Sequence, residues 1–338
     1  MNKKDIPFIS VGITTYKRSH RLKDLLSTLE KQNVKSASWE IVISDNNSAD
    51  ETGDVVRSFL PKLPNIKYFV NKENIGGDRN LKSLFDKATG KYVWILPDDD
   101  NINGTNAIEE IICKIKACPI LPTFVLLNAK SIFLDTNKVY MEKMSSIYDD
   151  IFLYNGKDIL NVVSDFDLIG AQRLIVQRDV MPNTFVDQYP KYVTIIAIAL
   201  VACTKGPALI IGYPYSIFGA GDQSPWRKEW SSICLQIMPN LLLDAKNVLN
   251  YDQDLISNMI RRRKYDYFDR TVAPHRLVFQ LYGMSWRSLT ELYGRNFVFL
   301  KIVKNLFLIL PYFIYKFLFR YDMFAKVLYN WRIKKYHW

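Results

Sequence analysis

Three consecutive carboxylates, Asp98, Asp99 and Asp100, close the apolar run Trp94-Ile95-Leu96-Pro97. Adjacent like charges repel, and a divalent cation with a taste for hard oxygen donors relieves that repulsion. Mg²⁺ or Mn²⁺ held by one or two carboxylates can also neutralise a departing diphosphate. The plain alternative is a solvated acidic turn capping the next helix. A second cluster, Ser44-Asp45-Asn46-Asn47-Ser48, offers Asp45 as a hydrogen-bond acceptor for a base or ribose. The same residues can form an Asx turn, with Asp50 or Ser48 capping a helix. A third, Asn74-Ile75-Gly76-Gly77-Asp78-Arg79-Asn80, places two glycines ahead of a helix, where backbone can approach a ligand closely. Arg79 there suits a phosphate or a carboxylate, and an ordinary turn is again the alternative. The chain has neither a Gly-x-Gly-x-x-Gly fingerprint nor a Gly-x-x-x-x-Gly-Lys-Ser/Thr loop, the two common glycine-rich phosphate cradles.

The elements that must position these clusters alternate. Phe8–Thr15, Trp39–Ser44, Ile66–Val70, Lys91–Leu96 and Thr123–Leu127 read as strands. Between them lie helical patterns: one from Ser19 with Leu22, Leu25, Leu26 and Leu29 in phase, then Asp50–Leu60, Asp78–Ala88 and Thr105–Ala117. Such alternation predicts an α/β fold, a mostly parallel mixed sheet flanked by helices. Ligands of such sheets bind outside the carboxyl ends of the strands, where the polar clusters after the first, second and fourth strands fall. Further on, Ala171–Gln177 and Ala208–Gly212 read as strands. Tyr192–Ala202 reads as an apolar helix whose β-branched residues leave a strand open. Gly219–Trp230 reads as a loop and the remainder as helical.

Charge is unevenly spread. Residues 261–338 hold 16 Lys/Arg against 4 Asp/Glu, a net of +12, whereas the whole chain carries +11. The basic excess therefore belongs to the last quarter. Within it Val298–Phe319 is apolar, and Lys301, Lys304, Asn305, Tyr312, Lys316 and Arg320 gather on one face of about 160°. Three lysines argue against a spanning helix and for an interfacial one on an anionic membrane. The alternative is a helix docked on the rest of the chain. Trp331 and Trp338, among Lys326, Arg332, Lys334 and Lys335, extend the basic-aromatic pattern over 298–338. RNA binding is disfavoured, because polar base-reading residues are not interleaved there. Cys113, Cys118, Cys203 and Cys234 form no Cys-x-x-Cys pair, so neither a zinc site nor a disulfide framework is expected. The polar start Met1–Pro7 gives no expectation of a secretory leader.

Four ordered blocks, Val11-Gly12-Ile13-Thr14-Thr15-Tyr16-Lys17-Arg18, Ile43 to Ser48, Asn74 to Asn80 and Trp94 to Asp100, resemble those of family 2 glycosyltransferases. Within that family the chain is similar to bacterial O-antigen enzymes of the abequosyltransferase type. The resemblance is firm over about residues 7–130 and loose to about 230. It implies a GT-A, Rossmann-like fold and transfer of a sugar from a nucleotide sugar to a saccharide, lipid-linked, in surface-polysaccharide assembly. Thr14, Thr15 and Tyr16 would border the nucleobase, and Asp45 would bind the nucleoside. Arg18, Asn74, Gly76, Arg79 and Asp98 would lie on the donor's nucleotide side. Asp99 matches the second carboxylate of the family's Asp-x-Asp motif and would hold the metal. The motif's first carboxylate falls on Pro97, so Asp98 or Asp100 would stand in. Inverting transfer needs a general base for the acceptor hydroxyl. By position Asp187, in Phe185-Val186-Asp187-Gln188-Tyr189-Pro190, is the candidate, with Asp165, Asp167 and Asp222 as rivals and a helix-entry role as the alternative.

The expected layout is a catalytic domain over 1–230, split near 130 into donor and acceptor halves. A helical, basic C-terminal region over 231–338 would associate with the inner face of the cell membrane. The competing classes are a membrane-bound scaffold that lost catalysis, suggested by Pro97, and a metal-dependent nucleotidyltransferase. The latter lacks its glycine-rich loop, since Thr14-Thr15-Tyr16-Lys17-Arg18 has no glycine.

Overall fold

Ile9–Thr15 (β1) is buried along nearly its whole length, as a strand covered on both faces must be. It lies between Trp39–Asp45 (β2) and Tyr92–Ile95 (β4), parallel to both, and Ile66–Val70 (β3) adds on beyond β2. The register sets Thr15 beside Asp45 and Gly12 beside Ile95. The carboxyl ends of β1, β2 and β4 therefore open onto one edge. The computed structural model describes residues 6–133, 138–145, 147–163, 165–168, 170–180, 184–189, 193–220 and 237–259. They belong to two compact units, Met1–Ser224 and Pro225–Trp338.

Helices cover the parallel strands. Ser19–Leu29 (α1) buries Leu22, Leu25, Leu26 and Leu29, and Thr52–Phe59 (α2) buries Val56 and Phe59. Gly77–Lys87 (α3) buries Asn80, Leu81, Leu84 and Phe85, and Ala107–Lys116 (α4) buries Ile108, Ile111, Ile112 and Ile115. These spacings of three and four residues are the apolar stripe of a helix lying on a sheet.

Past β4 the sheet stops being parallel. Leu174–Gln177 (β9) runs antiparallel between β4 and Phe124–Phe133 (β6). Ala208–Ala220 (β10) runs parallel to β6, while Asn101–Ile102 (β5) and Ile151–Leu153 (β8) pair antiparallel with β10. Val139–Met141 (β7) folds back on β6. The sheet is thus mixed, as expected, with its antiparallel pairs gathered in the second half. Crossover helices impose parallel pairing on β1 to β4, whereas a short return such as β6 to β7 can pair only antiparallel. β10 also runs past the expected end at Gly212. Register shifts on either side of Pro214 are bulges that absorb a residue with no N–H to donate. Gly219 and Ala220, expected in a loop, finish this strand.

Ile159–Val162 (α5) and Thr184–Asp187 (α6) are short; Thr194–Lys205 (α7) is long and buried from Ile196 to Cys203. Burial on all sides decides for helix where β-branched composition left strand open. In the second unit Met238–Leu249 (α8) starts with Pro239 in its first turn and ends on Asn250 in the left-handed region, both helix-boundary signals. Among the described residues no helix is long and apolar enough to cross a membrane. The segment 298–338 lies outside the described residues.

At the amino ends of β1 and β2 a buried carboxylate acts as a clamp. Glu40 Oε1 accepts from Ser10 Oγ (2.6 Å), Thr89 N (2.7 Å) and Gly90 N (3.2 Å), and Oε2 pairs with Lys67 Nζ. Burial pushes its pKa up, but the bonds from Lys67, Ser10 and Thr89 outweigh that and hold it below the usual value. The chain passes β1 so closely here that a Cβ on Gly90 would stand 2.6 Å from Ser10 Oγ and 2.7 Å from Ser10 N. Gly90→Ala is expected to destabilise the fold by about 1–3 kcal/mol, the cost of overpacking. A urea midpoint equal to that of the parent would show that the turn yields instead.

Candidate functional site

The loop after β1 and the loop after β4 are joined through side chains. Thr15 Oγ1 donates to Asp98 Oδ2 at 2.7 Å. Arg18 Nη1 donates to Asp98 Oδ1 at 3.3 Å and to Asp99 Oδ2 at 2.8 Å. Asp98 and Asp100 are buried, whereas the Asp99 side chain keeps 20% of its surface. Asp100 Oδ1 accepts from Gly219 N at 3.2 Å, which ties the triplet to the end of β10. Burial and then the neighbouring Asp99 charge push Asp98 up to about 7, against the pull of Arg18 and Thr15. The same two causes push Asp100 well above the carboxylate range.

This charge pattern fits a divalent cation. The donors are hard oxygens, and the Asp99 charge that helps push Asp98 and Asp100 up is the repulsion a cation would relieve. Among the described residues no three His, Cys, Asp or Glu side chains converge as a complete metal cage. The fit is therefore to an ion held by one or two carboxylates and completed by a ligand's phosphates.

Asp45 ends β2 fully buried. Its Oδ1 accepts from Ser48 N at 2.8 Å and its Oδ2 from Tyr68 Oη at 2.6 Å. The carboxylate thus braces its own turn, though through the N–H three residues on rather than the two of an Asx turn. Burial and the Asp45 carboxylate push the Tyr68 phenol above its ordinary value, so it stays a donor. Asp50 accepts from Thr52 N and Thr52 Oγ1 and starts α2.

Around Asp45 runs a network of amides that motif reading did not single out. Asn46 Nδ2 donates to Asn74 Oδ1 (2.7 Å), and Asn46 Oδ1 accepts from Ile75 N (2.9 Å) and Asn71 Nδ2 (3.2 Å). Asn80 Oδ1 accepts from Ser44 Oγ and Asn71 Nδ2, while Asn80 Nδ2 donates to Ser44 O. Asn74 Oδ1 also accepts from Gly76 N (3.0 Å). Tyr16 is partly exposed, and a hydrogen bond from Asn74, then one from Lys17, lowers its phenol. Gly76 has φ +83°, and open space faces both Gly76 and Gly77. Tyr68 thus holds Asp45 and Asn46 holds Asn74, with Asn71 and Asn80 bracing them, while Asn74 in turn bonds Tyr16 and Gly76. A polar Asn80 one turn from Leu84 on the inner face of α3 was the available signal. Thr14 lies half-buried on β1 opposite Ser44, and Arg79 is exposed on the first turn of α3.

Asp187 closes α6 with its side chain 49% exposed and pairs with Lys82 Nζ of α3 at 2.8 Å. A second link between the same regions places Thr194 Oγ1 2.6 Å from Asp78 Oδ1. Asp167 is committed to buried Arg173, whose Nη1 donates to it at 3.0 Å and whose Nε donates to Leu127 O at 2.8 Å. Asp165 opens the 3-10 turn Asp165–Leu168. Asp222, and the loop Pro225-Trp226-Arg227, lie outside the described residues.

A mixed α/β sheet carries carboxylates, amides and an open glycine turn at the carboxyl ends of β1, β2 and β4, the edge where ligands of such sheets bind. Residues 10–157 match the model described as Glycosyl transferase family 2. The chain is similar to the GalNAc(5)-diNAcBac-PP-undecaprenol beta-1,3-glucosyltransferase of Campylobacter jejuni, 34% identical over 98 residues, 29% of this chain and 31% of that one. It is also similar to abequosyltransferase RfbV of Salmonella typhimurium, 37% identical over 94 residues, 27% of this chain and 28% of that one. The matches thus span about a third or less of these relatives' lengths. Among solved structures, S. aureus TarS 1-349 in complex with UDP-GlcNAc superimposes with a TM-score of 0.58 at 16% identity, covering 75% of this chain and 71% of that one. The fold shared with TarS is the expected GT-A type.

Proposed function

We propose that the chain transfers a sugar from a nucleotide-sugar donor to a saccharide acceptor, lipid-linked, during assembly of a bacterial surface polysaccharide. The observation that carries this reading is the bonded set Thr15–Asp98–Arg18–Asp99, set beside Asp45 and the Asn74–Gly77 turn on one sheet edge. The relatives named for transfer to an undecaprenol diphosphate and for abequosyl transfer support the acceptor and pathway class. Tyr16 and Thr14 border the nucleobase, Asp45 takes the nucleoside, and the Gly76–Gly77 backbone and Arg79 face the donor.

Asp99, with Asp100 or Asp98 behind it, would hold Mg²⁺ or Mn²⁺, which when bound supplies charge neutralisation for the leaving diphosphate. Asp187 takes the proton from the acceptor hydroxyl as transfer proceeds with inversion. Lys82 keeps that carboxylate tied to the helix that starts at the donor turn. The basic, apolar segment 298–338 brings the enzyme to the cytoplasmic face of the membrane, where a lipid-linked acceptor is presented.

Calorimetry with UDP tests the donor assignment. Asp45→Ala is expected to weaken UDP binding by about 1–3 kcal/mol, the scale of a charge-assisted hydrogen bond. Tyr68→Phe removes one bond to Asp45 and keeps the carboxylate, so it should weaken binding less. If UDP and the other nucleoside diphosphates bind the parent chain and the Asp45→Ala variant alike, Asp45 is a turn residue and nothing more. If no nucleoside diphosphate binds the parent, the proposed activity is wrong.

A further inference from the structure

Arg18 Nη1 bridges two carboxylates of the triplet. Nη1 reaches Asp98 Oδ1 and Asp99 Oδ2 together, at 3.3 and 2.8 Å, with 30% of the arginine side chain exposed. One nitrogen spanning two carboxylates does the electrostatic work a bound cation would do, on the same two groups. The backbone is bent to put it there. Lys17, just before it, sits at φ +53°, a left-handed conformation that lysine rarely adopts. That bend is pinned by a hydrogen bond from Lys17 N to Ser48 Oγ at 2.8 Å, on the Asp45 turn. The position of Arg18 is thus coupled to the nucleoside side of the site.

We propose that Arg18 is a built-in counter-ion that competes with free divalent cations for Asp98 and Asp99, and releases them when a nucleoside diphosphate offers its guanidinium a phosphate partner. This rests on the metal assignment made under the proposed function. The guanidinium exchanges one pair of oxyanions for another, and the triplet exchanges one cation for another. The consequence is selectivity in loading: the cation enters efficiently with the nucleotide and poorly alone.

Mn²⁺ titrations of the full chain followed by electron paramagnetic resonance, at pH 8 so that protons compete little for the carboxylates, test this without measuring turnover. Arg18→Gln is expected to bind Mn²⁺ alone about tenfold more tightly than the parent or better, the loss of a competing charge-assisted bond. Arg18→Lys keeps the charge and should stay near the parent. With saturating UDP the advantage of Arg18→Gln should vanish. Should Arg18→Gln be poorly stable, its melting temperature must rise more on adding Mn²⁺ than the parent's does; no such rise overturns the proposal. Equal Mn²⁺ affinities in the parent and Arg18→Gln without nucleotide, where the parent binds Mn²⁺ with UDP, overturn the counter-ion role and leave the metal site standing. If neither protein binds Mn²⁺ with or without UDP, the metal assignment itself falls, and this inference with it.

Discussion

Asp99→Asn is expected to abolish sugar transfer while leaving the fold in place. Asp99 is the least buried member of the triplet, so its charge is the one a donor's diphosphate and its cation can reach. Asparagine keeps the size and one acceptor oxygen, so Arg18 retains a partner and the melting temperature should hardly move. What is lost is a full negative charge where leaving-group charge must be managed. Removing one such group commonly lowers kcat by about 10²–10³-fold, and loss of a metal ligand costs at least as much. The measurement is nucleoside diphosphate release from a turning-over nucleotide sugar, alongside a melting curve. Near-parental turnover would remove Asp99 from the mechanism.

Asp187→Asn should lower turnover by about 10²–10⁴-fold, the usual contribution of a general base, with UDP affinity almost unchanged. The amide can still accept from Lys82, so the bridge between α3 and α6 survives and the proton acceptor alone is lost. Asp167 makes a sharp contrast. Its partner Arg173 is buried, and stranding a buried charge costs about 3–5 kcal/mol. Asp167→Asn should therefore register mainly as a lower melting temperature. A turnover loss confined to Asp167→Asn or Asp222→Asn would move the base assignment and leave the reaction class untouched.

The donor half was the readable part of this chain. β1 and β2 are buried on both faces, so they show as continuous apolar runs, and the Leu and Ile spacing of α1 and α4 announces one covered face each. The clusters at their ends were legible because chemistry-bearing residues punctuate those runs. The second half was less so. β5 spans two residues, and β7 and β8 span three each, too short for any period to register. β10 continues through Pro214 because β6 supports it from a distant part of the chain, and no local rule reports that. Arg173 was read as part of a strand. It belongs to a 3-10 turn, buried because Asp167 and the Leu127 carbonyl satisfy it. The amides Asn46, Asn71 and Asn80 look like turn and helix-surface residues one by one; only their three-dimensional bonding shows them as the frame of the donor turn.

The hydrogen bond from Gly219 N to Asp100 Oδ1 also orders the history of each molecule as it is made. β1 to β4 are complete by Ile95, so the nucleoside side of the sheet can assemble while the remaining chain is still on the ribosome. The Gly219 donor to Asp100 lies more than a hundred residues further on, at the end of β10. The bond between them can form only once β10 is made, so a chain cut before β10 would lack that donor to the triplet.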